Sequence, residues 1–253
     1  MPGRPYVLAE TTFKEVRARA WEVAVLPWGA TEAHNLHLPY GTDNLETERI
    51  AIEAARLAWQ QDCAVTVLPT VPFGVNTQQL DIPLTLNLNP STQVIVLRDL
   101  AVSLQPHVRK LLILNGHGGN DFRQMIRELQ PAVGLFLCTA SWYVVGNPAA
   151  HFDEPGDHAG ELETSLVMHL APELALPLAE AGPGRARPFR IAALRERWAW
   201  APRRWTEVTE DTGVGDPSAA TADKGQRYFA EVTRVLGDFI VDLAAADPND
   251  LYA

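Results

Sequence analysis

Glu32-Ala33-His34-Asn35-Leu36-His37-Leu38-Pro39, followed by Gly41-Thr42-Asp43, sets two imidazoles and two carboxylates within one short stretch of chain. Imidazole nitrogen combined with carboxylate oxygen is a donor set for zinc, manganese or iron, whereas calcium and magnesium take oxygen shells. In an extended segment Glu32 and His34 project to the same side and Ala33 to the other. Asp43 has a second reading, because Asp43-Asn44-Leu45-Glu46 has the pattern of a capping box at a helix start. The two are compatible, since a carboxylate can cap with one oxygen and ligate with the other. His37 is one donor more than a single ion needs and is read as a supporting residue.

Two further clusters share this chemistry. Asn115-Gly116-His117-Gly118-Gly119-Asn120 places a histidine among three glycines, which permit backbone conformations closed to other residues and close approach by a ligand. Asn120 is positioned to cap a following helix. The turn lacks the spacing and the lysine of a phosphate-binding P-loop and the pattern of a dinucleotide fingerprint. Gly156-Asp157-His158-Ala159-Gly160-Glu161-Leu162-Glu163-Thr164-Ser165 leads into a helical pattern, where a spacing of three puts His158 and Glu161 on one face. Glu163 lies well round that helix from Glu161. Helix-dipole compensation accounts for one acidic residue in a first turn, but not for the accompanying histidine and glycines.

The elements that must position these groups alternate in type. Val23 to Gly29 and Lys110 to Leu114 read as buried strands, and each leads directly into one of the clusters. Asn44 to Trp59 and Asp121 to Gln130 read as the helices that follow. Further strands are expected at Cys63 to Leu68 and Val133 to Cys138. Strands alternating with helices predict an α/β class in one domain over residues 1–253, with the clusters at the carboxyl ends of strands, where open α/β sheets bind ligands.

With these motifs in view, the chain is identified as a member of the creatininase (creatinine amidohydrolase) family. The matching features are the Glu-x-His-x-x-His-Leu-Pro block ending in Asp43, the Asn-Gly-His-Gly-Gly-Asn turn and the His-Ala-Gly-Glu-x-Glu-Thr-Ser segment. Two more agree: Thr212 to Gly225 resembles a C-terminal glycine-rich signature, and Pro72-Phe73-Gly74 with Ile82-Pro83-Leu84-Thr85 resembles a family loop. The resemblance implies a three-layer α/β/α creatininase-like fold with a mostly parallel central sheet. It implies a pair of divalent ions, Zn or Mn with Fe as a further option, and a metal-activated water that attacks an amide-type C–N bond. Glu32, His117 and Asp43 would hold one ion and His34 the other, with Asp43 bridging. Creatininase takes its last ligand from a Glu two residues beyond the counterpart of His117, which is Gly119 here, and Glu161 is the expected replacement. His158 matches a family histidine with acid/base duty, and Glu163 a Glu expected to support it or relay protons.

Departures from the family pattern bear on the substrate. Ala33, Asn35 and Leu36 stand where members commonly read Gln, Gly and Pro, and Gln78 and Gln79 where they often carry His. Asp153 to Asp157 replaces the Trp-Asp approach to the catalytic histidine. These differences argue against creatinine and leave a small amide, lactam or formamide, in bonds other than peptide bonds, as the expected target. The alternatives are peptide trimming, another metal-centred reaction on the same site, or a non-catalytic metal-binding assembly protein.

The chain has 253 residues, 47% of them hydrophobic, enough for a full α/β core. Its formal net charge of −10 argues against nucleic acid, which needs a basic surface. No signal-like or membrane-spanning run is seen, so a cytoplasmic enzyme with a small-molecule substrate and no membrane partner is expected. Both cysteines lie in apolar runs and are expected as free thiols. Arg185 to Trp205 concentrates arginine and tryptophan. It reads either as the rim of an anionic-substrate pocket or, the favoured reading, as a subunit contact that helps close the active site. The family resemblance implies a homo-oligomer, a hexamer foremost.

Overall fold

The computed structural model describes residues 3–252. Four strands, β1 (Val23–Trp28), β2 (Val65–Val67), β3 (Lys110–Asn115) and β4 (Phe136–Ser141), form one sheet in the order β2-β1-β3-β4. Every pairing is parallel, with Val23 opposite Val65 and Lys110, and Lys110 opposite Phe136. All residues of β1 and β3 are buried. A parallel sheet is covered on both faces, so its strands read as continuous apolar runs.

Side-chain alternation divides those strands between two cores. Val23, Val25, Leu112 and Leu114 pack on one face against α2 (Thr42–Trp59), α5 (Glu161–Leu170) and α8 (Ala222–Ala245), through Ile50, Leu166 and Tyr228 among others. Ala24, Leu26, Trp28, Leu111 and Ile113 pack on the other face against α3 (Pro90–Leu104) and α4 (Phe122–Leu129), through Leu97, Phe122 and Met125. The result is an α/β/α layering. Three one-turn helices complete the set: α1 (Phe13–Val16), α6 (Ala192–Arg195) and α7 (Trp205–Val208). No helix among the described residues is long and apolar enough to cross a membrane. Cys63 and Cys138 are free thiols.

The strand order places the site. From β1 the chain moves outward to β2, then returns across β1 to β3, so connections diverge between β1 and β3. Such a switch point opens a crevice at the carboxyl ends of the strands. Trp28, the last residue of β1, pairs with Asn115, the last of β3. The loops carrying Glu32 and His117 therefore leave the sheet side by side.

Two capping expectations are corrected. Helix α2 starts at Thr42 with Gly41 as its N-cap and no side-chain cap, so Asp43 and Glu46 form no capping box. Asp43 lies inside the first turn, its carboxylate turned to the histidines. Helix α4 is capped by Asp121, whose side chain accepts from Arg123 N, and not by Asn120. Asn120 instead ties the glycine turn to its surroundings, accepting from Val75 N and Gln93 Nε2 and donating to Asn115 Oδ1.

Candidate metal centre

Three buried histidines each spend one ring nitrogen on a backbone carbonyl. His34 Nδ1 lies 3.1 Å from the Glu32 carbonyl, His117 Nε2 lies 3.0 Å from the Val75 carbonyl, and His158 Nε2 lies 2.7 Å from the Ala33 carbonyl. A carbonyl oxygen only accepts, so each of these nitrogens carries its proton, and the opposite nitrogen of a neutral ring presents a lone pair. That second nitrogen meets carboxylates in all three cases. His34 Nε2 is 2.9 Å from Asp43 Oδ1, and His117 Nδ1 is 2.8 Å from Glu32 Oε1 and 3.0 Å from Asp43 Oδ2. His158 Nδ1 is 3.8 Å from Glu32 Oε1. Anchoring one imidazole nitrogen while aiming the other at acceptors is how metal-ligating histidines are oriented.

The donor atoms fall into three compact groups, each within 4.8 Å: Glu32, Asp43 and His117; His34, Asp43 and Glu163; and Glu32, His34 and His158. Asp43 belongs to the first two. Glu32 Oε1 and Asp43 Oδ2 are buried without a hydrogen-bond donor, although His117 Nδ1 stands beside both. Buried anionic oxygens without donors are strongly unfavourable, and a divalent cation among them removes the deficit, so these residues fit the metal pair that the resemblance implies.

The electrostatics agree. Burial disfavours the charged form of His34, yet the Asp43 carboxylate outweighs it and raises the His34 pKa to about 10. His117 is displaced upward in the same way, burial being overcome chiefly by Glu32. Burial would raise the pKa of Asp43, but His34 and His117 hold it well below the usual carboxylate range. The pocket thus draws positive charge onto its imidazoles. Glu163 is shifted upward by burial, His34 and His158 only partly offsetting it.

The structure brings together Glu32, His34, Asp43, His117, His158 and Glu163, and sets Glu161 apart. Glu161 is buried in an ion pair with Lys224 of α8 and accepts from Glu154 N at 2.9 Å. The structure sets Glu161 away from the cluster, and Glu163, two residues later and rotated round α5, reaches His34 and Asp43 in its place. Gly119 itself has no room for a substitute. A Cβ there would stand 2.2 Å from the Val75 carbonyl oxygen and 2.5 Å from His117 Nε2.

His37 is buried, bonds Thr164 beside Glu163 at 3.0 Å, and is displaced down to about 4 by burial first and then by the charge of His34. It braces α5 against the ligand loop. Sequence reasoning named two more participants without assigning these roles. Gln79 donates to Glu32 Oε2 and so orients that carboxylate. Glu46, one turn beyond Asp43, is wholly buried with both carboxylate oxygens unpartnered. Burial, then Glu163 and Asp43, push its pKa well up. The Asp43-to-Glu46 spacing was the available signal for Glu46, and it reads more readily as a cap.

A cavity of about 400 Å³ opens over the cluster, lined among others by Glu32, Gln78, His117, His158, Glu163 and Trp205. The rings of His34 and His158 lie 4.2 Å apart, and Trp205 stands edge-on to His158 at 5.3 Å. The site offers ligand groups on its floor, one histidine at the wall, and space for a small group.

Comparison with known proteins is consistent over nearly the whole chain. The family model for creatininase, described as creatinine amidohydrolase, matches residues 9–240. A mycofactocin precursor peptide peptidase from Mycolicibacterium smegmatis is 29% identical over 254 residues, covering 93% of this chain and 91% of that protein. A solved Bacteroides fragilis protein, described as a candidate creatinine amidohydrolase, is 43% identical with a TM-score of 0.91, covering 98% of this chain and 99% of that one. Creatininase, solved as a variant of zinc–zinc type and as a manganese form, matches in fold with TM-scores of 0.77 and 0.76. Those matches are 23% and 22% identical and cover 96% of this chain and 100% of that one.

Proposed function

The chain belongs to the creatininase family of amidohydrolases, and from that premise we propose that it uses two divalent ions, Zn or Mn, to hydrolyse an amide C–N bond within a peptide. The carrying observation is the set of three imidazoles, each anchored to a carbonyl, whose other nitrogens converge on Glu32 and Asp43. Glu32, His117 and Asp43 would hold one ion, and His34, Glu163 and Asp43 the other. Bound there, such ions supply an acidified water and polarise a carbonyl near neutral pH.

The protein's own groups do the rest. His158 keeps its Nε2 proton on the Ala33 carbonyl, so Nδ1 is the atom that can take a proton and pass it to the departing nitrogen. Glu32 Oε1 lies 3.8 Å from that nitrogen. The Glu163 side chain accepts from Ala159 N, which fixes the loop carrying His158 to the ligand set. Ala159 has φ of 49°, a left-handed conformation that costs a non-glycine residue roughly 1–2 kcal/mol, and this contact helps to hold it.

A peptide substrate is supported by the peptidase name of the M. smegmatis relative and by the absence of the Trp-Asp approach that creatininase carries. The expectation set peptide bonds aside as an alternative, and the relatives bring them forward. The test loads the purified protein with Zn or Mn and assays a panel of lactams, formamides and short peptides while measuring bound metal. Metal-dependent cleavage of a peptide is the expected result. Ring opening of lactams alone would return the substrate to the small-molecule class, and activity that survives removal of metal would defeat the mechanism.

A further inference from the structure

Residues drawn mainly from 186–208, with Gly118 and Asp157, wall a second cavity of about 1,070 Å³ beside the catalytic one. The two share Gly118, Asp157 and Arg203 in their linings, so they adjoin. At that boundary a Cβ on Gly118 would meet nothing within 4 Å, so the space beside it is open. Arg203 bonds Asp157 and lies over the Trp205 ring at 4.5 Å, and Trp205 in turn touches His158. The second cavity therefore begins one side chain away from the histidine assigned to proton transfer.

Its charge is opposite to that of the molecule. The chain carries a formal net charge of −10, yet six arginines line this cavity against two carboxylates, Asp157 and Glu207. Those carboxylates are taken by Arg203 and Arg204, and Arg187 pairs with Glu210. Arg190, Arg195 and Arg197 form no ion pair among the described residues. Trp200, 84% exposed, and Phe189 add flat apolar faces to the same wall. A lactam or formamide is accommodated by the catalytic cavity alone, since small-ligand sites occupy roughly 300–1,000 Å³. The arginine cavity adds room for a substrate that extends beyond the reacting bond.

We propose that this arginine-lined cavity binds the carboxylate of a peptide whose scissile bond lies over the metal centre. Guanidinium groups pair with carboxylates through two parallel hydrogen bonds, and aromatic faces cover the apolar part of the chain between. The carboxylate is either the peptide's C-terminus or an acidic side chain. The assignment rests on the reading of the site as a peptide-amide hydrolase, and it is tested by binding so that the two stand or fall separately.

Calorimetric titration of the full-length protein at low salt would use four probes: Ala-Ala-Ala with a free C-terminus, its C-terminal amide, N-acetyl-Ala-Glu-Ala amide and N-acetyl-Ala-Lys-Ala amide. At least one carboxylate-bearing probe should bind about tenfold tighter than the amide and lysine probes, the advantage shrinking as salt is added. Whichever of the two does so identifies the source of the carboxylate. Arg190→Gln with Arg197→Gln should remove the advantage while leaving metal content unchanged. Equal binding of all four, no binding of any, or an unaltered preference in the double variant overturns the proposal. So does a double variant that changes only self-association in sedimentation, which would make this wall a contact between copies. Peptide hydrolysis with no carboxylate preference removes the carboxylate site and keeps the reaction. Carboxylate-dependent binding without hydrolysis keeps the site and removes the reaction.

Discussion

Two residues apart on α5, Glu163 faces His34 and Asp43 while Glu161 is held by Lys224. Glu163→Gln should therefore lower bound metal from two ions toward one, because the ion shared by His34 and Asp43 loses a charged ligand. Glu161→Gln should keep its metal and instead lower stability, because the buried Glu161 carboxylate no longer pairs with Lys224. Elemental analysis with urea unfolding separates them, and metal loss in Glu161→Gln with full occupancy in Glu163→Gln would reverse the assignment. His158→Ala should retain both ions and lose turnover by about 10²–10⁴-fold; loss of an ion in that variant would make His158 a ligand. At this scale the Glu32, His34 and Asp43 cluster was legible in the sequence because its members are close along the chain. The choice between Glu161 and Glu163 was not, since it depends on the rotation of α5 and on Lys224, more than sixty residues away.

At the scale of elements, β1, β3 and α2 match their sequence reading within a residue or two, because long apolar or periodic runs mark them. The last strand is displaced. Val133 to Cys138 was expected, yet β4 spans Phe136–Ser141. Val133 and Leu135 are buried against the α3 and α4 face without entering the ladder, so their hydrophobicity reports burial and not pairing. Lys110 is the converse, a charged residue wholly within the sheet. Its ammonium donates to the carbonyls of Ala244 and Ala246 at 2.7 Å each, closing the C-terminal end of α8. A cation at a helix C-terminus satisfies orphan carbonyls and opposes the dipole. Lys110→Met keeps the stem and removes the charge, and should lower stability by about 2 kcal/mol. An unchanged urea midpoint would show that water replaces the ammonium at no cost.

For the molecule as a whole, the metal cluster ties the loop after β1, the turn after β3 and the start of α5 together, so occupancy should act on global stability and with a definite pH dependence. In the chelated protein the His34 pKa lies at about 10, above its unfolded value of about 6.5. The stabilisation from its protonation is complete below about pH 6.5 and is lost as pH rises through about 10. Asp43 and Glu32 are shifted downward, so their contribution is present above about pH 4 and is lost as pH falls. On these groups alone the metal-free protein is most stable between about pH 4 and 6.5, and the upward-shifted Glu46 and Glu163 move the optimum toward the acid end of that window, with a decline on the alkaline side of up to about 1.4 kcal/mol per pH unit for each proton involved. Bound divalent ions would take the place of those protons on His34 and His117, and binding to the folded state would add stability that grows with free metal, to about 4 kcal/mol at a thousandfold excess over Kd. Denaturant midpoints measured with chelator and with zinc at pH 5, 6.5 and 8 should diverge steadily as pH rises. A separation that is the same at all three values would mean that metal and imidazole protons do not compete, and the ligand set drawn from His34 and His117 would have to be abandoned.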